Sequence, residues 1–176
     1  VSTYTYDQLG RRLTTSTTPT GFPSGVTTTF TYDALGNVTQ VDSPEVINPI
    51  TNATKRLRVT TVYDPAGNPI SVTESDIGGG PAPDTSRTTT RTYDDADRLL
   101  TVIDPAGGVT SDEYDVAGNL VRVTDPRGIQ RVFEFDANNL NTRETAISAV
   151  IDPDTQQPRD VIVARGEYDA SGRLTS

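Results

Sequence analysis

The sequence predicts an all-β protein, an antiparallel β-hairpin repeat array forming a curved or spiralling sheet. Three observations predict it. One short phrase, tyrosine–aspartate with glycine three residues further on, recurs from one end to the other. Threonine is unusually common and valine and tyrosine support it; these residue types suit a pleated, half-buried surface. Fourteen Gly and twelve Pro provide turns, while only 33% of residues are hydrophobic and 6% aromatic, thin material for a thick core.

The turns justify the elements in order. Six of the seven tyrosines precede aspartate. The first turns are Tyr6-Asp7-Gln8-Leu9-Gly10-Arg11, Tyr32-Asp33-Ala34-Leu35-Gly36-Asn37 and Tyr63-Asp64-Pro65-Ala66-Gly67-Asn68. Tyr93-Asp94-Asp95-Ala96-Asp97-Arg98, Tyr114-Asp115-Val116-Ala117-Gly118-Asn119 and Tyr168-Asp169-Ala170-Ser171-Gly172-Arg173 continue them, and Phe135-Asp136-Ala137-Asn138-Asn139-Leu140 is a degenerate copy. Asp-x-x-Gly fits a three-residue hairpin loop, a type I turn followed by a residue in the left-handed region. Aspartate accepts backbone amides further along, and the last position needs positive φ, hence Gly. Asp97 and Asn139 are the residue types that best tolerate that conformation without being Gly.

A second set of turns lies between these. Asp104-Pro105-Ala106-Gly107 and Asp125-Pro126-Arg127-Gly128 share the chemistry; Thr18-Pro19-Thr20-Gly21 and Ser43-Pro44 are looser. Along Asp94, Asp104, Asp115, Asp125 and Asp136 the spacing alternates 10, 11, 10, 11. Each unit is therefore two antiparallel strands and two turns, with about six to eight residues per strand. Ile129, Arg131, Phe133 and Phe135 alternate onto one face, and Gln130, Val132, Glu134 and Asp136 onto the other. After Gly118, the expected faces are Leu120, Arg122 and Thr124 against Val121 and Val123. Neither face is cleanly apolar, which suits one moderately packed face and one wet face, or the lining of a roomy interior.

Motif aspartates are 26, 31, 30, 21, 21 and 33 residues apart, so insertions are expected near 43–58, 74–87 and 148–165. Gly78-Gly79-Gly80-Pro81-Ala82-Pro83 reads as a flexible loop. The repeat resumes after each insertion, so residues 1–176 read as one array of about seven units. Both ends cut through a repeat, and the chain reads as a fragment of a longer one.

Composition narrows the function. Cys and His are absent, which removes disulfides, thiolate chemistry, the usual transition-metal ligand sets and the commonest general base. A net charge of −9 argues against nucleic acid or an anionic membrane as partner, and no apolar run approaches a membrane span.

The phrase Tyr-Asp-x-x-Gly-[Arg/Asn], followed by Thr- and Val-rich residues and Asp-Pro-x-Gly, resembles the YD repeat of the RHS (rearrangement hotspot) family. The match runs from Tyr4 to Leu174, interrupted by the three insertions. The resemblance implies a large secreted or surface-delivered protein, most often bacterial, whose hairpins form one long sheet. In toxin relatives that sheet spirals into a hollow shell around a C-terminal toxic domain; toxin complexes and teneurins use a similar shell. Toxin relatives also carry a self-cleavage site beyond the repeats. No catalytic aspartate is carried over here, because the Asp-Pro-x-Gly segments recur as turns.

Candidate sites weigh the same way. Each Tyr-Asp pair resembles a sugar-binding platform, but repeated identical roles favour tyrosine packing across strands and aspartate closing turns. Asp94-Asp95, or Asp112-Glu113 with Asp115, would suit a glycosidase only in a shielded site. Asp152-Pro153-Asp154 and Asp160 lack EF-hand spacing. Gly78-Gly79-Gly80 lacks the Lys-Ser/Thr of a phosphate loop. Arg56-Leu57-Arg58 is too short for a nucleic-acid patch, and Asn52-Ala53-Thr54 is a weak glycosylation acceptor. The expectation is no catalytic residue, cofactor or metal, and a structural wall section whose partners are neighbouring repeats, an enclosed effector or copies of itself. The alternative is an extracellular module binding glycans or proteins, or self-assembling into a fibre through open edges.

Overall fold

A computed structural model describes residues 1–18, 26–47, 50, 52–78, 86–152, 154–155, 157–169 and 171–175, with backbone alone for 148–150. Thr18 is therefore the one described residue of the Thr18-Pro19-Thr20-Gly21 turn. Gly79 to Pro83 of the expected flexible loop, Pro153 and Ala170 also lie outside the described residues.

Every regular element among the described residues is a strand. In order they are β1 (Ser2–Tyr6), β2 (Arg12–Thr17), β3 (Val26–Tyr32), β4 (Val38–Asp42), β5 (Val46–Ile47), β6 (Thr54–Lys55), β7 (Leu57–Tyr63) and β8 (Pro69–Asp76). There follow β9 (Arg87–Tyr93), β10 (Leu99–Ile103), β11 (Val109–Tyr114), β12 (Leu120–Thr124), β13 (Gln130–Phe135), β14 (Asn141–Ile151) and β15 (Pro158–Arg165). Thirteen of them form an open antiparallel sheet in chain order, and β5 and β6 pair separately as a small hairpin. Sequential hairpins explain the order, since each strand returns beside the one before it.

Two compact units divide the chain, Val1–Arg91 and Thr92–Ser176. In the first, the register puts several apolar side chains on one face. Tyr4, Phe30, Val41, Val59 and Val72 share it with Thr15, Thr28, Thr61, Thr89 and Glu74; Thr5, Thr14, Thr29, Thr31, Thr60, Thr73 and Thr88 share the other with Asp42, Arg58 and Val62. Hydroxyl pairs knit the threonine face, with Thr5–Thr14 at 2.7 Å and Thr73–Thr88 at 2.9 Å. In the second unit, Thr101, Ser111 and Thr124 form a similar polar row, while Val123 and Ala146 line the other side. Among the described residues only Ala146, at 8% exposure, is a buried hydrophobe.

The strands depart from simple alternation beside five of the aromatic turns. The register slips by one residue at Tyr6, Tyr32, Tyr63, Tyr114 and Phe135, leaving Leu13, Thr39, Ile70, Val121 and Thr142 as the extra residues. This repeated bulge corrects the expected faces after Gly118. Leu120 pairs with Tyr114 and Arg122 with Glu113. Tyr114 and Glu113 are successive residues and point oppositely, so Leu120 and Arg122 lie on opposite faces. Residues 148–165, expected as an insertion, add to the sheet. They extend β14, turn at Asp152 and return as β15, lengthening the sheet.

Candidate functional site: the tyrosine–aspartate turns

The recurrent chemistry of this chain sits at its hairpin turns. At the first, Gly10 N donates to the Asp7 carbonyl at 3.1 Å and Asp7 N to the Arg11 carbonyl at 2.9 Å. The same pair of bonds closes the turns at Asp33, Asp64, Asp94, Asp104, Asp115, Asp125, Asp136 and Asp169. The closing residue always has positive φ: Gly10 +78°, Gly36 +94°, Gly67 +97°, Gly107 +86°, Gly118 +92°, Gly128 +81° and Gly172 +74°. Asp97 and Asn139 hold +60° in the same place. That is the left-handed region, which costs a side chain less at 60° than further out.

The aspartate side chain does more than cap. Asp7 Oδ1 accepts from Leu9 N and Arg11 N, both at 2.9 Å, and its Oδ2 accepts from Arg11 Nε at 2.7 Å. The exit residue four positions on repeats this role as Asn37, Asn68, Arg98, Asn119 and Arg173, reaching Oδ2 at 3.0, 3.2, 2.7, 2.9 and 2.9 Å. Sequence reasoning assigned no role to that exit position, although its restriction to Arg or Asn was the available signal.

Successive turns are also joined. Tyr32 Oη donates to the Arg12 carbonyl at 2.8 Å, Tyr63 Oη to Val38 at 3.0 Å and Tyr168 Oη to Asn141 at 2.7 Å. In each case the acceptor lies two residues past the left-handed residue of the preceding turn. Arginine exit residues add a second tie. The Arg11 guanidinium lies 4.9 Å from the Tyr32 ring centroid and donates through Nη1 to the Asp33 carbonyl at 2.9 Å. Arg98 sits 4.6 Å from the Tyr114 ring, and Asn119 Nδ2 donates to Asn139 Oδ1 at 2.9 Å.

These bonds favour the ionised carboxylates. The bonds from Asn37, Arg98 and Asn119 hold Asp33, Asp94 and Asp115 below the ordinary aspartate range, the side-chain bond leading in each. At Asp64, Asp125 and Asp169 a backbone amide leads, from Asn68, Ile129 and Arg173, and the direction is again downward. A folded-state pKa below the unfolded one stabilises the fold above the unfolded value and ceases to do so as pH falls through the folded value. Thermal melts are therefore expected to be level near neutrality and to drop below about pH 4. A melting temperature unchanged down to about pH 2 would contradict this role for the carboxylates.

Asp94 is engaged in its turn, and Glu113 pairs with Arg122 at 2.9 Å on the face opposite Asp112. Burial raises the Asp112 carboxyl. Asp152 Oδ1 accepts Asp154 N at 2.9 Å and Thr155 N at 3.0 Å, so this carboxylate shapes its own loop. No group of three or more Asp or Glu side chains among the described residues could hold a metal ion. Asn52 is exposed, with φ of 54°, just before β6.

The RHS repeat family model matches residues 22–45 and 114–157, segments that hold the turns at Asp33, Asp115, Asp125 and Asp136. Those two segments carry RHS repeats. No curated protein matches it in sequence. Among solved structures, TcdB2-TccC3 with Cdc42 is similar over 98% of this chain and 11% of that one, at 19% identity and a TM-score of 0.43. A Photorhabdus luminescens Tc holotoxin pore is similar over the same shares, at 18% identity and a TM-score of 0.41. This chain thus spans about a tenth of the length of those chains. Outside the two matched segments the same turn geometry continues, at Asp7, Asp64, Asp94 and Asp169.

Proposed function

We propose that this RHS-repeat chain is a non-catalytic section of wall in a large, secreted or surface-exposed bacterial protein. The wall curls around a space that holds a C-terminal effector. One observation carries this reading: a single-layer sheet, with almost nothing buried, is held in register by turns that bond to one another. Such a sheet gains from neighbours what it lacks in a core, as repeat arrays do. The Tyr, Asp, Gly, Phe and Asn residues of the turns act in this reading as structural parts. They fix where each hairpin reverses and tie it to the next. The turn carboxylates are spent on backbone amides and exit side chains, which leaves them unsuited to acid–base work. A net charge of −9 keeps nucleic acid and anionic lipid out of the partner set.

The test is proteolysis of the native polypeptide that contains these repeats. A C-terminal fragment is expected to resist protease while the sheet is intact and to be digested once denaturant opens it. Equal digestion before and after opening would contradict enclosure.

A further inference from the structure

We propose that one face of the second unit docks an extended apolar peptide segment, and that Asp112 receives the one Lys or Arg of that segment. The register sets four side chains in a row across four strands: Asp112 on β11, Val123 on β12, Arg131 on β13 and Ala146 on β14. Tyr114 and Phe133 stand on the same side, each two residues further along its strand. Neighbouring strands lie about 4.8 Å apart, so the row spans about 14 Å, the reach of about four extended residues. Val123, Phe133 and Ala146 give such a segment an apolar bed.

Charge identifies what else the segment carries. Two cations on this side of the unit are already held by other acids. Arg98 bonds Asp94 at 2.7 Å while covering the Tyr114 ring, and Arg131 stands 3.1 Å from Glu144. Asp112 is left over: among the described residues it has no hydrogen bond and no ion pair. Its neighbour Glu113 points to the opposite face and holds Arg122 there at 2.9 Å. Asp112 is half-buried beside apolar side chains, and burial raises its carboxyl. A carboxylate so placed lowers the stability of the chain that carries it. It gains when a cation arrives together with more apolar surface. The net charge of −9 favours a basic partner in the same sense.

Two arrays of acetylated, amidated hexapeptides test the docking. The first is built from Val, Leu, Phe and Thr with one Lys in each peptide; the second carries norleucine in place of that Lys. The 176-residue chain is expected to bind members of the first array about tenfold more tightly than their norleucine counterparts. Asp112→Asn is expected to abolish that difference, and Glu113→Gln, on the opposite face, to leave it intact. Asp112→Asn is also expected to melt at a higher temperature than the parent, because the carboxylate has no partner within its own chain. The absence of any bound peptide would overturn the docking, as would equal binding of the two arrays. A preference for Lys that survives Asp112→Asn would overturn the role of Asp112. A lower melting temperature for Asp112→Asn would make the carboxylate a part of the fold and overturn the proposal as well.

Discussion

Replacing Gly118 by valine is expected to destabilise the β11–β12 hairpin by about 2–3 kcal/mol. Gly118 has φ of +92°, well beyond the +60° that Asp97 and Asn139 adopt at the same turn position. A β-branched side chain is the least tolerant type there. The site is otherwise open: an added Cβ would meet only Arg98 Nη1, at 3.7 Å. The cost is therefore backbone strain and not a clash, and Gly118→Asn should lose about 1 kcal/mol or less. Denaturant melts of both variants measure the difference. Equal stability of the valine variant and the parent would refute the assignment of this turn.

Asp42→Ala is the second large effect, with an expected loss of about 2 kcal/mol. Asp42 is 5% exposed in a sheet that buries almost nothing. Its Oδ1 and Oδ2 accept from Arg58 Nε and Nη2, each at 2.7 Å, and Arg56 Nη2 stands 3.7 Å away. The Arg58 bonds hold the carboxyl below its usual range. Removing it leaves two guanidinium groups, half shielded and close together, without their shared anion. Arg122→Ala gives the scale, because Glu113 opposite it is 55% exposed and such a pair contributes well under about 1 kcal/mol. Similar losses in the two variants, read from urea midpoints, would remove the special standing of Asp42.

The hairpins were legible because their turns obey local rules. Asp64-Pro65-Ala66-Gly67 specifies φ and a capping acceptor within four residues, with no help from distant chain. Other features needed the paired strand. Nothing about Val121 marks it as the extra residue of a bulge, because the slip exists only relative to Glu113 and Tyr114 across the ladder. The Tyr32 hydroxyl finds its carbonyl 20 residues back, and Asp42 finds Arg58 across 16 residues that include the β5–β6 hairpin. Arg11 was visible as a repeated choice of residue type. Its double task, closing one turn and covering the next tyrosine, appears only when hairpins stand side by side.

Electron cryo-microscopy of the native polypeptide that contains these repeats tests the central claim most directly. The account predicts that residues 1–176 form one strip of a continuous wall, with further strands on both edges and density inside the enclosed space. An isolated open sheet, or a wall around an empty and accessible space, would contradict it.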